Sequence, residues 1–170
     1  MNINQLFEDK KLLENKYSFF LKKGMIVKIE NNKELVAAHL DKAKHNLLFF
    51  EKNVDDPQFN DWLIVTLYYA LYHAVLALIV NKGYTSKNHT ASLVFLIKHY
   101  ALLKEDVLLV QELSIRKEDA ELYTKLKEDR HKASYESKVS FTDKNIQYYQ
   151  QKVKSFINKA EEILGQWNTS

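Results

Sequence analysis

"WLIVTLYYALYHAVLALIV", residues 62–80, is the most apolar stretch of the chain, and its reading decides the fold. Its length would suffice to cross a bilayer. However, Tyr68, Tyr69, Tyr72 and His73 interrupt it, and nothing on either side resembles a membrane anchor. A helix that is apolar on nearly every side is covered on every side. The stretch therefore reads as the buried central helix of a bundle, over about 58–82, with Gly83 as its C-cap.

Composition agrees with that reading. The chain has 170 residues, 46% of them hydrophobic, enough for one domain with a real core. Three glycines and one proline are too few for folds built on tight turns or phosphate loops, which disfavours all-β and Rossmann-like architectures. No cysteine is present, so disulfide frameworks, thiolate nucleophiles and cysteine zinc sites are excluded together. The opening "MNINQLFEDKKLLENKYSFF" carries early acidic residues and no apolar core, unlike a signal peptide. A cytoplasmic location without a membrane is expected. The net charge of +3 is too mild to argue for nucleic acid without local clustering.

Outward from the centre, periodicity predicts further helices. Leu6, Leu13, Tyr17, Phe20 and Leu21 mark one over 4–22, stopped by Gly24, and "MIVKIE" is an extended or irregular link. Leu35, Ala38, His39, Ala43, Asn46, Leu47 and Phe50 trace an amphipathic helix over 33–53, and Pro57 can start the next. After the polar loop "YTSKN", "HTASLVFLIKHYALL" gives a shorter helix. A long charged helix over 105–134 can kink near Ser114, and a last one over 142–165 starts from Thr142 or Asp143. The expected fold is all-α, a compact up-and-down bundle of five or six helices. Residues 1–32 form an N-terminal helical extension and 33–166 the bundle.

"LKEDRHKASYES", residues 126–137, is the densest polar cluster. Leu122, Leu126 and Ala133 mark an apolar stripe, and Arg130 falls on it. Such an arginine is either paired, with Asp41 or Asp61 as candidates, or faces a cleft where its planar fork suits phosphate. His131 is turned about 100° away around a helix. On the central helix, Tyr69, Tyr72 and His73 share a face, either as core tyrosines with wet hydroxyls or as part of a site. His89 either bonds a loop carbonyl or, with Lys87 and the helix amides, contacts an anion. No histidine spacing suggests a metal, and no Walker or dinucleotide loop occurs. Neither a metal nor a cofactor is expected.

The segment "LYYALYHAVLALIVNKGYTSKNHTASLVFL" (67–96), followed by "RHKASY" (130–135), resembles the prokaryotic HEPN domain family. The likeness is carried by Tyr68, Tyr69, Ala70, Tyr72, His73, Ala74, Ala77, Leu78, Gly83, Ser86 and His89. Arg130, Ala133 and Tyr135 then follow as in the family's "RxxADY" stretch. "ELVAAHLDKAKHNL" (34–47) fits the first family helix, and the likeness covers about 33–160. It implies a helical bundle, often a homodimer, concerned with nucleotides or RNA. It also implies a toxin–antitoxin-like module with a nucleotidyltransferase partner. Many such proteins resemble one another as metal-independent ribonucleases that pair an arginine with a histidine a few residues on. Here positions 135–137 hold Tyr135, Glu136 and Ser137 instead, and tyrosine is a poor base near neutrality.

The resemblance thus implies a nucleotide- or RNA-binding role, with Arg130 contacting phosphate and Tyr135, Tyr69, His73, His89 and Lys87 lining the groove. One alternative is a ribonuclease using Arg130 with His131 or another histidine. The other is a purely protein-interacting module.

Overall fold

The computed structural model describes residues 2–30, 32–56, 59–100, 102–128 and 143–165. Among them are seven helices: α1 (Ile3–Glu8), α2 (Lys10–Lys22), α3 (Lys33–Asn53), α4 (Asn60–Asn81), α5 (His89–His99), α6 (Lys104–Glu128) and α7 (Asp143–Gly165). Two short strands, β1 (Ile26–Lys28) and β2 (Tyr84–Ser86), pair antiparallel with Ile26 opposite Ser86.

The four long helices run up and down. Early α3 meets late α4 at His39 and His73. Asp106 at the start of α6 meets Lys159 near the end of α7, 2.6 Å apart. Glu51 late in α3 meets Lys154 of α7 at 3.6 Å, and Lys44 pairs with Glu161. The two α3–α7 pairs run in opposite order along the helices, 44 with 161 and 51 with 154, so α3 and α7 are antiparallel. α4 lies at the centre, as its composition requires: Leu63, Ile64, Leu67, Leu71, Leu78 and Ile79 are fully buried. Ala70, Ala74 and Ala77 are buried too, and their small side chains let neighbouring helices approach closely. Only α4 is long and apolar enough to cross a membrane among the described residues, and 67% of its most apolar window is buried within the protein.

Two local expectations are corrected. The single helix over 4–22 divides at Asp9, giving seven helices rather than five or six. The Asp9 amide closes α1 on the Gln5 carbonyl, while its carboxylate accepts from the Leu12 amide at 2.9 Å and opens α2. "YTSKN" is not simply a loop, because Tyr84–Ser86 forms β2 against β1. Gly83 turns the chain from α4 into β2 at φ +74°, a conformation that favours glycine. Its carbonyl accepts from the Ile29 amide at 2.9 Å, extending the pairing beyond β1.

Residues 2–30 pack into the same core as the rest. Ile3, Leu6, Tyr17, Phe20 and Ile26 are buried with the central helices. Tyr17 lies edge-on to His99 at 5.2 Å, and Glu14 pairs with Lys98 of α5. Burial pushes the Tyr17 hydroxyl up to about 12.

Candidate functional site

Although α4 is central, one stripe of it is open. Phe59, Trp62 and Tyr69 are 45%, 52% and 40% exposed, with half-buried Thr66 between and His73 beyond. The spacing of 62, 66, 69 and 73 puts these residues on one helical face. Thr66 returns its hydroxyl to the Trp62 carbonyl at 2.9 Å, so it makes no demand on the surface. Large apolar side chains exposed together on an otherwise buried helix mark a contact surface.

The α5–α6 flank of this stripe is aromatic and cationic. Tyr68 and Tyr72 are stacked with planes 10° apart and centroids 5.7 Å apart. His89 continues the stack on Tyr72 at 6.5 Å. From α6, Lys117 holds its ammonium 5.3 Å from the Tyr68 centroid and 5.6 Å from that of Tyr69. Such distances favour a cation over a ring face. The Tyr72 hydroxyl donates to the Ser86 carbonyl at 3.5 Å, and burial, then Tyr69, raises its pKa.

His89 stands at the first turn of α5 with both ring nitrogens buried; among the described residues neither meets a partner at full hydrogen-bond geometry, although the Val110 backbone is close to the ring. Burial lowers its pKa, Lys117 adding to the effect; Glu118 and the nearby Val110 backbone favour the charged form without restoring it. The amide expected to be available beside it is already taken, since Asn88 Oδ1 accepts from the Ala91 N–H at 2.9 Å. Lys87 is exposed on the preceding link.

His73 does not join His89. Its Nδ1 meets Nδ1 of His39 across the α3–α4 seam at 3.0 Å. Burial depresses the pKa of both rings, and for His73 the charges of His39 and Lys42 depress it further. Tyr72 lies between the two groups, its ring 6.4 Å from His73 and 6.5 Å from His89.

The structure therefore brings Tyr69 into the cluster of Tyr68, Tyr72, His89 and Lys117, and separates His73 toward α3. Arg130, His131, Ala133 and Tyr135 lie outside the described residues, as do Pro57 and Thr142; Leu122 and Leu126 fall on the last turns of α6. Of the carboxylates considered for Arg130, Asp61 is buried and Asp41 exposed. Sequence reasoning missed Trp62, Lys117 and the role of His39. His39 was detectable, since a histidine on the apolar stripe of α3 requires a partner. Lys117 gave no signal, being one cation among many on a charged helix.

No curated protein matches the sequence. The family model of the HEPN domain matches residues 36–167, which takes in α4, α5 and every expected site residue. That match covers more than half of the chain, and the chain is a member of the HEPN domain family.

Proposed function

We propose that the protein binds nucleotide or RNA along the open face of α4. The observation that carries this reading is the exposed Trp62–Tyr69 stripe with Lys117 beside it, in a chain of the HEPN family. Exposed aromatic rings offer nucleobases a stacking surface, and lysines meet the phosphates. Single strands are suited to such a surface because their bases are free to splay outward. In the proposal Arg130 is a phosphate contact and Tyr135 a groove residue. His89 supports the tyrosine stack, and Lys87 adds charge at its rim.

The same proposal includes a homodimer in the cytoplasm and a nucleotidyltransferase partner, as one half of a toxin–antitoxin-like module. It assigns no catalytic step, because Tyr135 stands where the family's nuclease histidine falls. The test is a fluorescence-anisotropy titration of a labelled single-stranded RNA with the wild-type chain and with Arg130→Ala. Reduced affinity in a variant with unchanged circular dichroism supports the reading. Equal affinity removes Arg130 from it.

A further inference from the structure

The His39–His73 contact is unusual because two groups that can both carry positive charge are held nitrogen to nitrogen. The Nδ1 atoms are 3.0 Å apart and the ring centroids 5.3 Å apart. The excess of the second distance over the first requires both nitrogens to lie nearly on the line between the rings. Their lone pairs thus point at one another, as in a shared N–H···N bond. A chelated metal would instead need them to converge on a point off that line. One ring therefore donates and the other accepts.

Among the described residues, the charged group acting on the pair is a cation. Lys42 is one turn along α3 from His39, is exposed, and acts on His73. Among the described residues, no carboxylate is among the groups acting on either ring. From α4, Tyr72 adjoins His73; from α6, Lys117 is directed at Tyr68 and Tyr69. On α7, Glu161 and Lys154 are engaged with Lys44 and Glu51 on the other flank of α3. His45 is exposed one turn beyond Lys42.

We propose that His39, His73 and Lys42 form a proton-gated site for a phosphate-type oxyanion. In the resting form the N–H···N bond keeps the site closed. When the acceptor ring takes one proton from solvent at Nδ1, that bond cannot persist, and the rings part. Two imidazole N–H groups and the Lys42 ammonium then face the same opening, and an oxyanion accepts from all three. Binding and protonation are linked, so each strengthens the other. The opening lies on the same side of α4 as Tyr69, so the site would hold a phosphate at one end of the proposed RNA face. It does not depend on that face, however, and is tested with a simple anion.

The probe is sodium sulfate, which keeps its double charge throughout, titrated calorimetrically into the full chain at constant ionic strength. Measurements at about pH 5.5 and about pH 8 bracket the ordinary imidazole value. The proposal predicts tighter binding in acid, weakening about tenfold per pH unit above the protonation step. It also predicts uptake of about one proton per sulfate, read from heats in buffers of different ionisation enthalpy. Lys42→Ala, at an exposed position, should weaken binding severalfold, and His73→Gln should abolish the pH dependence. Equal affinity at both pH values, or unchanged pH dependence in His73→Gln, overturns the proposal. If His73→Gln fails to fold, imidazole ¹⁵N shifts of the wild-type pair decide. Their midpoint must rise when sulfate is added, and an unmoved midpoint overturns the proposal. Failure here leaves RNA binding at Trp62 and Tyr69 intact, and failure of RNA binding leaves sulfate binding intact.

Discussion

Lys117 of α6 holds its ammonium 5.6 Å from the ring of Tyr69 on α4, at the edge of the only open stripe described on the central helix. The pair joins a stacking surface to a positive charge. Replacing exposed Tyr69 with alanine should cost about 1–3 kcal/mol of single-stranded RNA binding, the usual worth of one stacked base. Lys117→Ala should cost less and should reduce the dependence of affinity on salt. Anisotropy titrations at two salt concentrations check both, with thermal unfolding as the control for the fold.

Acid should destabilise the protein before its carboxylates titrate. His39, His73, His89 and His99 all have folded-state pKa values lowered chiefly by burial. A lowered histidine pKa means that the unfolded chain takes up protons first as pH falls. Their contribution to stability is therefore fully present above the unfolded value of about 6.5, and is lost as pH falls toward the folded values. Urea midpoints should be level above neutrality and decline through mildly acid pH. His39→Gln combined with His73→Gln should flatten part of that decline.

The N-terminal extension lies outside the family match yet packs as core. Leu6 is only 1% exposed among the central residues, so Leu6→Ala should cost about 2–5 kcal/mol. Leu21→Ala on the exposed side of α2 should change stability by about 0.5 kcal/mol or less. Chemical denaturation of the two variants makes the comparison directly.

Helix α5 depends on one side chain at its start. Asn88→Ala removes the acceptor of the Ala91 amide and should cost about 0.5–2 kcal/mol, whereas Asn88→Asp should restore most of it. Denaturant midpoints of the two variants test the assignment.

The long helices were legible because their burial follows the sequence period. Ala43, Leu47 and Phe50 are buried on α3 as their spacing requires, and α4 is buried almost throughout as its composition requires. The break at Asp9 was not legible, because apolar residues keep helical spacing across it while a side-chain cap decides the local structure. The β1–β2 pairing was missed because three-residue strands carry too little alternation, and their partners are distant in sequence. On α4, the phase of Tyr69 and His73 could be read, but not which neighbouring helix each would meet. Only packing reveals that His73 meets His39 while Tyr69 meets Lys117. The tyrosine stack with His89 likewise needed the turn at Gly83 to fold α5 back beside α4.

The central claim, RNA binding on the open face of α4, is tested most directly through the fluorescence of Trp62. The chain has two tryptophans, so Trp167→Phe leaves Trp62 as the sole reporter, on the proposed surface. Titration with an unlabelled single-stranded RNA should quench its emission in a saturable, salt-sensitive way. The same titration on the Tyr69→Ala background should saturate only at higher RNA concentration. Emission that stays unchanged up to saturating RNA, or quenching indifferent to Tyr69→Ala, would contradict the account.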